Sequence, residues 1–223
     1  MKLFGICILC LAAFAADAAA PAEVAKPPSQ PSMASGALGL LPGGPSQPSM
    51  ASGALGLLPG DSVYQLDIPL TNQDGRDYRI ADLRGKPVLI AMFYTSCKYV
   101  CPLIVDSMLR VDKGLTPEER SQLRVVLVSF DPEHDTPQAL KAVAVERHLD
   151  LPRWTLDRTD AESVRKLAAV LGVQYRSIEN GDFNHSTVIS LLDRDGRIAA
   201  RSSRTGEPDP GLVAATKREL AGK

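Results

Sequence analysis

Continuous apolar runs in the second half of the chain predict strands that are buried on both faces. They cover residues 87–94, 124–130 and 187–192. A strand with one solvent-exposed face alternates apolar and polar residues, whereas a strand covered on both faces does not. These runs should therefore form the centre of a sheet.

Helical spacing of apolar residues predicts helices between and after these strands. The first should begin near Cys97 and run towards Gly114, and Thr116 then opens a capping box with proline at the first helical position. Further helices are predicted over residues 137–147, 160–171 and 210–220, with a helix stop at Gly172.

Turn residues predict two hairpins. One joins residues 63–69 to residues 78–80 through the turn at 72–75, and the other joins residues 187–192 to residues 197–202.

After the N-terminal hairpin the order is strand, helix, strand, helix, helix, strand, strand, helix. This order predicts an α/β thioredoxin-like fold, a central mixed β-sheet flanked by helices with an added N-terminal β-hairpin. Trp154 and Tyr175 are expected in its core.

The first 60 residues differ in composition from the predicted domain at 61–223. Residues 1–18 combine Lys2, a short apolar run and Ala-x-Ala sites, which is typical of an export signal. An apolar run of 14 residues, 3–16, is shorter than the roughly 20 that span a bilayer, although a short anchor is the alternative. We expect an exported protein of the bacterial periplasm, cleaved near Ala18 or held at the inner membrane by the uncleaved segment.

Residues 19–60 are predicted to be a disordered linker. The sequence PSQPSMASGALGLLPG occurs at 28–43 and again at 45–60. Its proline, glycine and serine content provides too little apolar surface to offset the entropy of ordering. Two copies are also too few for a solenoid.

Charge excludes one class of function. Lys and Arg number 25, Asp and Glu number 26, and the formal net charge is -1. A nucleic-acid-binding protein normally carries a marked basic excess, so we expect no nucleic-acid partner.

Cys97 and Cys101 are the candidate chemical groups of the predicted domain, since Cys7 and Cys10 lie in the export signal. They follow a buried strand and fall on the loop and first turn of the next helix, where free N–H groups and the helix dipole favour thiolate. Two thiolates are soft ligands that select copper(I) or zinc. A redox or structural disulfide is the alternative.

A histidine would complete a three-coordinate copper site. His185 precedes the strand at 187–192, and in a thioredoxin-like domain the loop entering that strand lies against the dithiol helix. His134 is expected in a turn, with a transient copper role as the alternative, and His148 on the surface or at a helix end. Asp131 and Asp135 are expected to cap turns and a helix start, or to lie beside the metal and orient its ligands.

Three separated motifs resemble the Sco/SenC family over about residues 61–220. They are CxxxCP after a buried strand, VSFDPEHDTP, and an isolated histidine before VISLLDRDGRI. The resemblance implies a thioredoxin-like protein that binds one copper ion, as copper(I) or copper(II), through Cys97, Cys101 and His185. Lys98 stands where many relatives have proline, which leaves the ligands intact but can alter the local redox poise.

The resemblance also implies partners. Members of the family assist copper-centre assembly in cytochrome c oxidase, so the expected partner is its copper-bearing subunit or another exported copper protein. Other copper chaperones or thiol reductants are further candidates.

An enzyme is the alternative function. A thiol-disulfide oxidoreductase would reduce cysteines of a copper-accepting partner, with Cys97 as nucleophile and Cys101 resolving the mixed disulfide. A peroxidase of the peroxiredoxin type is less favoured, because the threonine it uses would fall at Tyr94.

Overall fold

The computed structural model describes residues 56–151, 153–178, 182–207 and 209–222. The predicted export signal and nearly all of the predicted linker lie outside these residues. Within the described part of the chain, no helix has the length and apolar character to cross a bilayer.

The described residues form a seven-stranded mixed sheet. Its strands are β1 (Pro69–Asn72), β2 (Asp77–Arg79), β3 (Val88–Phe93), β4 (Arg124–Ser129), β5 (Trp154–Arg158), β8 (Ile189–Leu192) and β9 (Ile198–Ser202). Their order across the sheet is β2-β1-β5-β4-β3-β8-β9. Strands β3, β4 and β5 are parallel, and β8 runs antiparallel to β3. The short strands β6 (Tyr175–Ser177) and β7 (Phe183–His185) form a separate antiparallel pair.

Helices connect these strands. They are α1 (Val100–Lys113), α2 (Pro117–Gln122), α3 (Pro137–Glu146), α4 (Ala161–Leu171) and α5 (Pro210–Leu220). Thr116 and Glu119 form the predicted capping box at the start of α2, and Gly172 ends α4 in the left-handed conformation. The thioredoxin-like prediction is confirmed in architecture. The order of elements differs from the prediction at the strands discussed next and at β6 and β7, which the sequence pattern does not predict.

Three predicted details are wrong. The two helices predicted in succession after β4 are separated by β5, which lies inside the sheet. The strand predicted at 63–69 instead begins with a 3₁₀ turn (Val63–Gln65), because the Ser62 hydroxyl accepts a hydrogen bond from the Tyr64 N–H and caps that turn. Helix α1 begins at Val100 rather than near Cys97.

The central strands carry the core. All residues of β3 and β8 are buried, as are five of the six in β4, and the Trp154 side chain is fully buried, as predicted. Tyr175 is only partly buried and packs against this core. Strand β3, in the buried centre of the sheet, ends at Phe93, immediately before the segment that carries the two cysteines.

Candidate metal centre

The dithiol segment connects the end of β3 to the start of α1. Cys97 lies in the turn before the helix and is half-buried, whereas Cys101 lies in the first helical turn and is 3% exposed. Both are free thiols. The Cys101 N–H donates to Cys97 Sγ at 3.4 Å, so the sulfur accepts the hydrogen bond that a carbonyl would accept in a continued helix. This contact explains why α1 starts later than the apolar spacing predicts.

His185 comes from the β6–β7 hairpin and faces the sulfurs. Its Nε2 lies 3.9 Å from Cys101 Sγ, and its Nδ1 lies 3.2 Å from the Ser186 carbonyl oxygen. Because a carbonyl oxygen can only accept, this hydrogen bond requires the proton on Nδ1, which leaves the Nε2 lone pair directed at the thiols. The two Sγ atoms and the nearer ring nitrogen of His185 all lie within 4.8 Å of one another.

Aromatic rings hold the imidazole in place. The His185 ring centroid is 5.0 Å from that of Phe130 and 5.8 Å, edge to face, from that of Tyr94. The Tyr94 hydroxyl donates a hydrogen bond to Asp182, which lies immediately before β7. Tyr94 thus ties the end of β3 to the segment that carries His185, which restricts the separation of thiols and imidazole.

The two thiols have opposite electrostatic environments. Burial raises the pKa of Cys97, but hydrogen bonds from the Cys101 and Tyr99 N–H groups and from the Cys101 side chain outweigh it and lower the pKa to about 6. Burial raises the pKa of Cys101, and the neighbouring Cys97 charge raises it further. The pair therefore consists of one accessible thiolate and one buried thiol at neutral pH.

We expect Cys97 in the reduced, metal-free protein to react as a thiolate from about pH 6 upward. A pKa of about 6 gives roughly ten thiolates per thiol at pH 7, whereas an ordinary cysteine near 8.5 is only a few per cent ionised. Nucleophilicity falls with pKa, so the midpoint of the rate against pH is more diagnostic than the rate itself. Alkylation by iodoacetamide in Cys101→Ser, made in a Cys7→Ser/Cys10→Ser background so that Cys97 is the single thiol, measures that midpoint.

Cys97→Ser is the matched control for this prediction. In a Cys7→Ser/Cys10→Ser background it leaves only the buried Cys101. Alkylation of Cys101 should stay slow up to about pH 9, since burial raises its pKa. A midpoint for Cys97 near that of an ordinary cysteine would contradict the hydrogen bonding described above.

Asp135 supports the dithiol segment from the loop after β4. Its carboxylate is 1% exposed and accepts hydrogen bonds from the Thr95 N–H at 3.0 Å, the Thr95 hydroxyl at 2.5 Å and the Ser129 hydroxyl at 2.5 Å. Burial raises the pKa of Asp135, and these donors oppose that effect. Asp135 thus fixes Thr95, two residues before Cys97.

The other candidate side chains lie outside the thiol–imidazole cluster. Asp131 is buried and accepts a hydrogen bond from the His134 Nδ1 at 2.9 Å, while the His134 side chain is 68% exposed. His148 is exposed just after α3, in the left-handed conformation with φ 53°. Tyr94, Phe130 and Asp182 were not singled out from the sequence as site residues, and their only sequence signal is adjacency to predicted strands or to His185.

The sheet is thioredoxin-like, the two thiols lie at a helix start, and the imidazole comes from a separate hairpin. These features define the class of protein: a thioredoxin-like thiol protein with three side chains placed to ligate a metal ion. The family model described as SCO1/SenC matches residues 60–221. The chain belongs to the SCO1/SenC family, as the sequence motifs predict.

Individual relatives agree with this assignment. The SCO1 protein homolog of Bacillus subtilis is 32% identical over 83 residues, covering 37% of this chain and 42% of that protein. A solved SCO1/SenC family lipoprotein from Bacillus anthracis is 29% identical with a TM-score of 0.63, covering 70% of this chain and 94% of that one. Bradyrhizobium japonicum ScoI, solved with copper bound, is 28% identical with a TM-score of 0.54, covering 68% of this chain and 96% of that one. The chain spans 42% of the length of the Bacillus subtilis protein and 65% of the length of a relative described as a putative copper-binding protein of Stutzerimonas stutzeri.

Proposed function

We propose that this chain is a metallochaperone that binds one copper ion through Cys97 Sγ, Cys101 Sγ and His185 Nε2. The observation that carries the proposal is the convergence of these donors, although His185 lies 84 residues from Cys101 in the chain. Copper is the cargo of such a protein, taken up and passed on.

The donor set suits copper. Two thiolates and an imidazole are soft to intermediate ligands, and a three-coordinate site with these ligands favours copper(I). With metal–sulfur bonds of about 2.3 Å and metal–nitrogen bonds of about 2.0 Å, planar three-coordinate geometry separates the donors by roughly 4 Å. The Cys101–His185 pair already has this separation, at 3.9 Å. Copper binding in the ScoI relative from Bradyrhizobium japonicum is consistent with this assignment.

The exposure of the two sulfurs suggests how the ion is transferred. Cys97 is half-buried and Cys101 buried, so an incoming ligand reaches the Cys97 side of the site first. Transfer would proceed by ligand exchange at that sulfur. Loading would release a proton from Cys101, which is held as a thiol, because a metal-bound cysteine is a thiolate.

The recipient and location follow from the family resemblance and from the N-terminal sequence. The recipient would be the copper-bearing subunit of cytochrome c oxidase or another exported copper protein. We place the domain at 61–223 outside the cytoplasm, behind an export signal or short anchor at 1–18 and a linker at 19–60.

Copper stoichiometry tests the proposal. The full chain, reduced and titrated with copper(I) against a competing chelator, should retain one copper per chain, and Cys97→Ser or Cys101→Ser should lose it. Cys7 and Cys10 offer a second thiol pair in any uncleaved chain, so Cys7→Ser/Cys10→Ser is the control and should still bind one ion. Retention of copper by both single variants at 97 and 101, when each is made in the Cys7→Ser/Cys10→Ser background, would refute the proposed site.

A thiol-disulfide oxidoreductase is the second candidate, favoured by the contrast between the Cys97 and Cys101 thiols. A nucleophile with a pKa of about 6 beside a buried resolving thiol is the arrangement that disulfide exchange uses. Reduction of insulin disulfides with turnover, together with weak copper binding, would favour this enzyme. Tight copper binding without turnover would favour the metallochaperone.

A further inference from the structure

A cleft of about 300 Å³ opens beside Cys97, between the start of α1 and the end of α3. Residues from both sides line this α1–α3 cleft, and they include Cys97, Lys98, Pro102, Val143, Glu146 and Arg147. Cys97 is half-buried rather than buried. The residue through which a partner would exchange copper is therefore part of the cleft wall.

An ion pair joins the two walls of the α1–α3 cleft. The Arg147 guanidinium group donates hydrogen bonds to the Asp106 carboxylate and, at 3.3 Å, to the Pro102 carbonyl oxygen, and both acceptors belong to α1. This pair balances the Arg147 charge. Lys98 and Glu146 are exposed lining residues of opposite charge. Apart from the Cys97 thiolate, the lining therefore has no net charge that would favour an ionic occupant.

Apolar side chains supply the rest of the accessible wall. Pro102 and Val143 line the cleft and are half-buried, whereas its other apolar lining residues, such as Phe93 and Val105, are nearly fully buried. An apolar side chain that enters the cleft would contact Pro102 and Val143.

Apolar surface continues outside the cleft at the start of α1. Tyr99 is 83% exposed and Leu103 is 41% exposed. Residues four apart lie on the same side of a helix, and Leu103 is adjacent in the chain to Pro102, which lines the cleft. Grouped exposed apolar side chains mark interaction sites, whereas single ones are common on any protein. A surface that extends beyond the cleft in this way suits a polypeptide better than a small ligand.

The cleft beside His185 differs in character. It measures about 350 Å³, and its lining is polar apart from Tyr175; the other lining residues are Gln174, Arg176, Asn184, His185 and Ser186. Neither cysteine lines it. An apolar group next to a ligand that reaches Cys97 therefore finds its contacts in the α1–α3 cleft.

We propose that the α1–α3 cleft, with the neighbouring surface of Tyr99 and Leu103, is the docking site for the copper-accepting protein, and that the cleft receives an uncharged apolar side chain next to that partner's sulfur ligand. The proposal rests on the metallochaperone function proposed above, because ligand exchange brings the partner's sulfur to the ion that Cys97 holds. The cleft lies at the lower end of the range of small-molecule sites, so it suits one side chain better than a whole ligand. Side chains anchored in such pockets often dominate the energetics of protein interfaces.

Exchange with short cysteine peptides tests the docking site without copper. The probes are the symmetrical disulfides of acetyl-Leu-Cys-amide and acetyl-Cys-Leu-amide, with that of acetyl-Cys-Gly-amide as the reference. The full chain carries Cys7→Ser, Cys10→Ser and Cys101→Ser, so Cys97 is its single thiol. The Cys97 thiolate attacks one peptide sulfur, the peptide S–S bond breaks, a mixed disulfide forms and the second peptide leaves as a thiolate.

At least one leucine peptide should react about fivefold faster than the glycine peptide, the gain expected from burying roughly 40 Å² of apolar surface. Equal rates for all three peptides would overturn the proposal.

Two valines of α3 show whether the cleft is responsible. Val143→Phe fills the cleft and should abolish the leucine advantage while leaving the glycine rate unchanged. Val145→Phe is the matched control, since Val145 is 64% exposed, lies outside the cleft and is about 200° around the helix from Val143. It should keep the advantage. Val143→Thr makes the wall polar at similar size and should reduce the advantage, which decides the matter if Val143→Phe fails to fold. Retention of the advantage in both Val143 variants, or its equal loss in Val145→Phe, would refute the docking site.

Copper measurements separate this proposal from the proposed function. An excess of a reduced leucine peptide should remove copper(I) from the loaded chain faster than the reduced glycine peptide, and Val143→Phe should cancel this difference without changing the copper stoichiometry. A chain that binds no copper but keeps the Val143-dependent preference would overturn the metallochaperone function and support the docking site. A chain that binds one copper and shows no preference would overturn the docking site alone.

Discussion

His185→Ala should weaken copper(I) binding at least about 100-fold. Loss of a residue that merely orients a ligand already costs 10-fold to 100-fold in metal affinity, and here the ligand itself is removed. The remaining pair, Cys97 and Cys101, can offer copper(I) only two sulfurs. Competition against a copper(I) chelator under reducing conditions measures the change.

Two control variants separate ligation from packing. His185→Gln removes the imidazole but keeps most of the side-chain volume beside Phe130 and Tyr94, and it should weaken binding to a similar extent. His148→Ala removes an exposed histidine just after α3 and should leave copper affinity unchanged. Copper affinity in His185→Ala equal to that of the unmodified chain would rule out the imidazole as a ligand.

The sheet centre could be predicted because its strands are buried on both faces. The runs at 87–94, 124–130 and 187–192 contain the strands β3, β4 and β8, where burial imposes apolar residues at nearly every position. Such a pattern has few competing interpretations once the run is too short for a helix. The helix boundaries at Thr116 and Gly172 could be predicted because capping residues in the sequence mark them.

Strand β5 could not be recognised because polar residues interrupt it. The sequence WTLDR places Thr155 at a partly buried position and Asp157 at a buried one. Buried polar residues contradict the apolar pattern of an internal strand.

The three-residue cluster could be predicted, but the contacts that hold it could not. Sequence order alone puts Cys97 and Cys101 at a helix start and His185 before a sheet strand. The hydrogen bond from Tyr94 to Asp182 joins residues 88 positions apart, and only the folded chain reveals such a pair. Asp135 had two possible roles in the sequence, and its hydrogen bonds to Thr95 and Ser129 show that it braces the dithiol segment.

Asp135→Ala should lower the free energy of unfolding by about 2–4 kcal/mol. The substitution leaves the Thr95 N–H and the Thr95 and Ser129 hydroxyls without their acceptor, and each buried unsatisfied donor costs about 1–3 kcal/mol. Relief from burying the carboxylate offsets part of this loss. Urea unfolding of the reduced, metal-free chain measures the change.

A bracing role for Asp135 also predicts an effect at the thiols. In Asp135→Ala the segment before Cys97 is released, so the N–H groups that lower the Cys97 pKa lose their alignment and the alkylation midpoint should rise from about pH 6. Asp135→Asn keeps one acceptor oxygen for Thr95 and should restore most of both the stability and the midpoint. A large loss of stability with an unchanged midpoint would assign Asp135 to the fold alone, because positioning of Cys97 would then not depend on it.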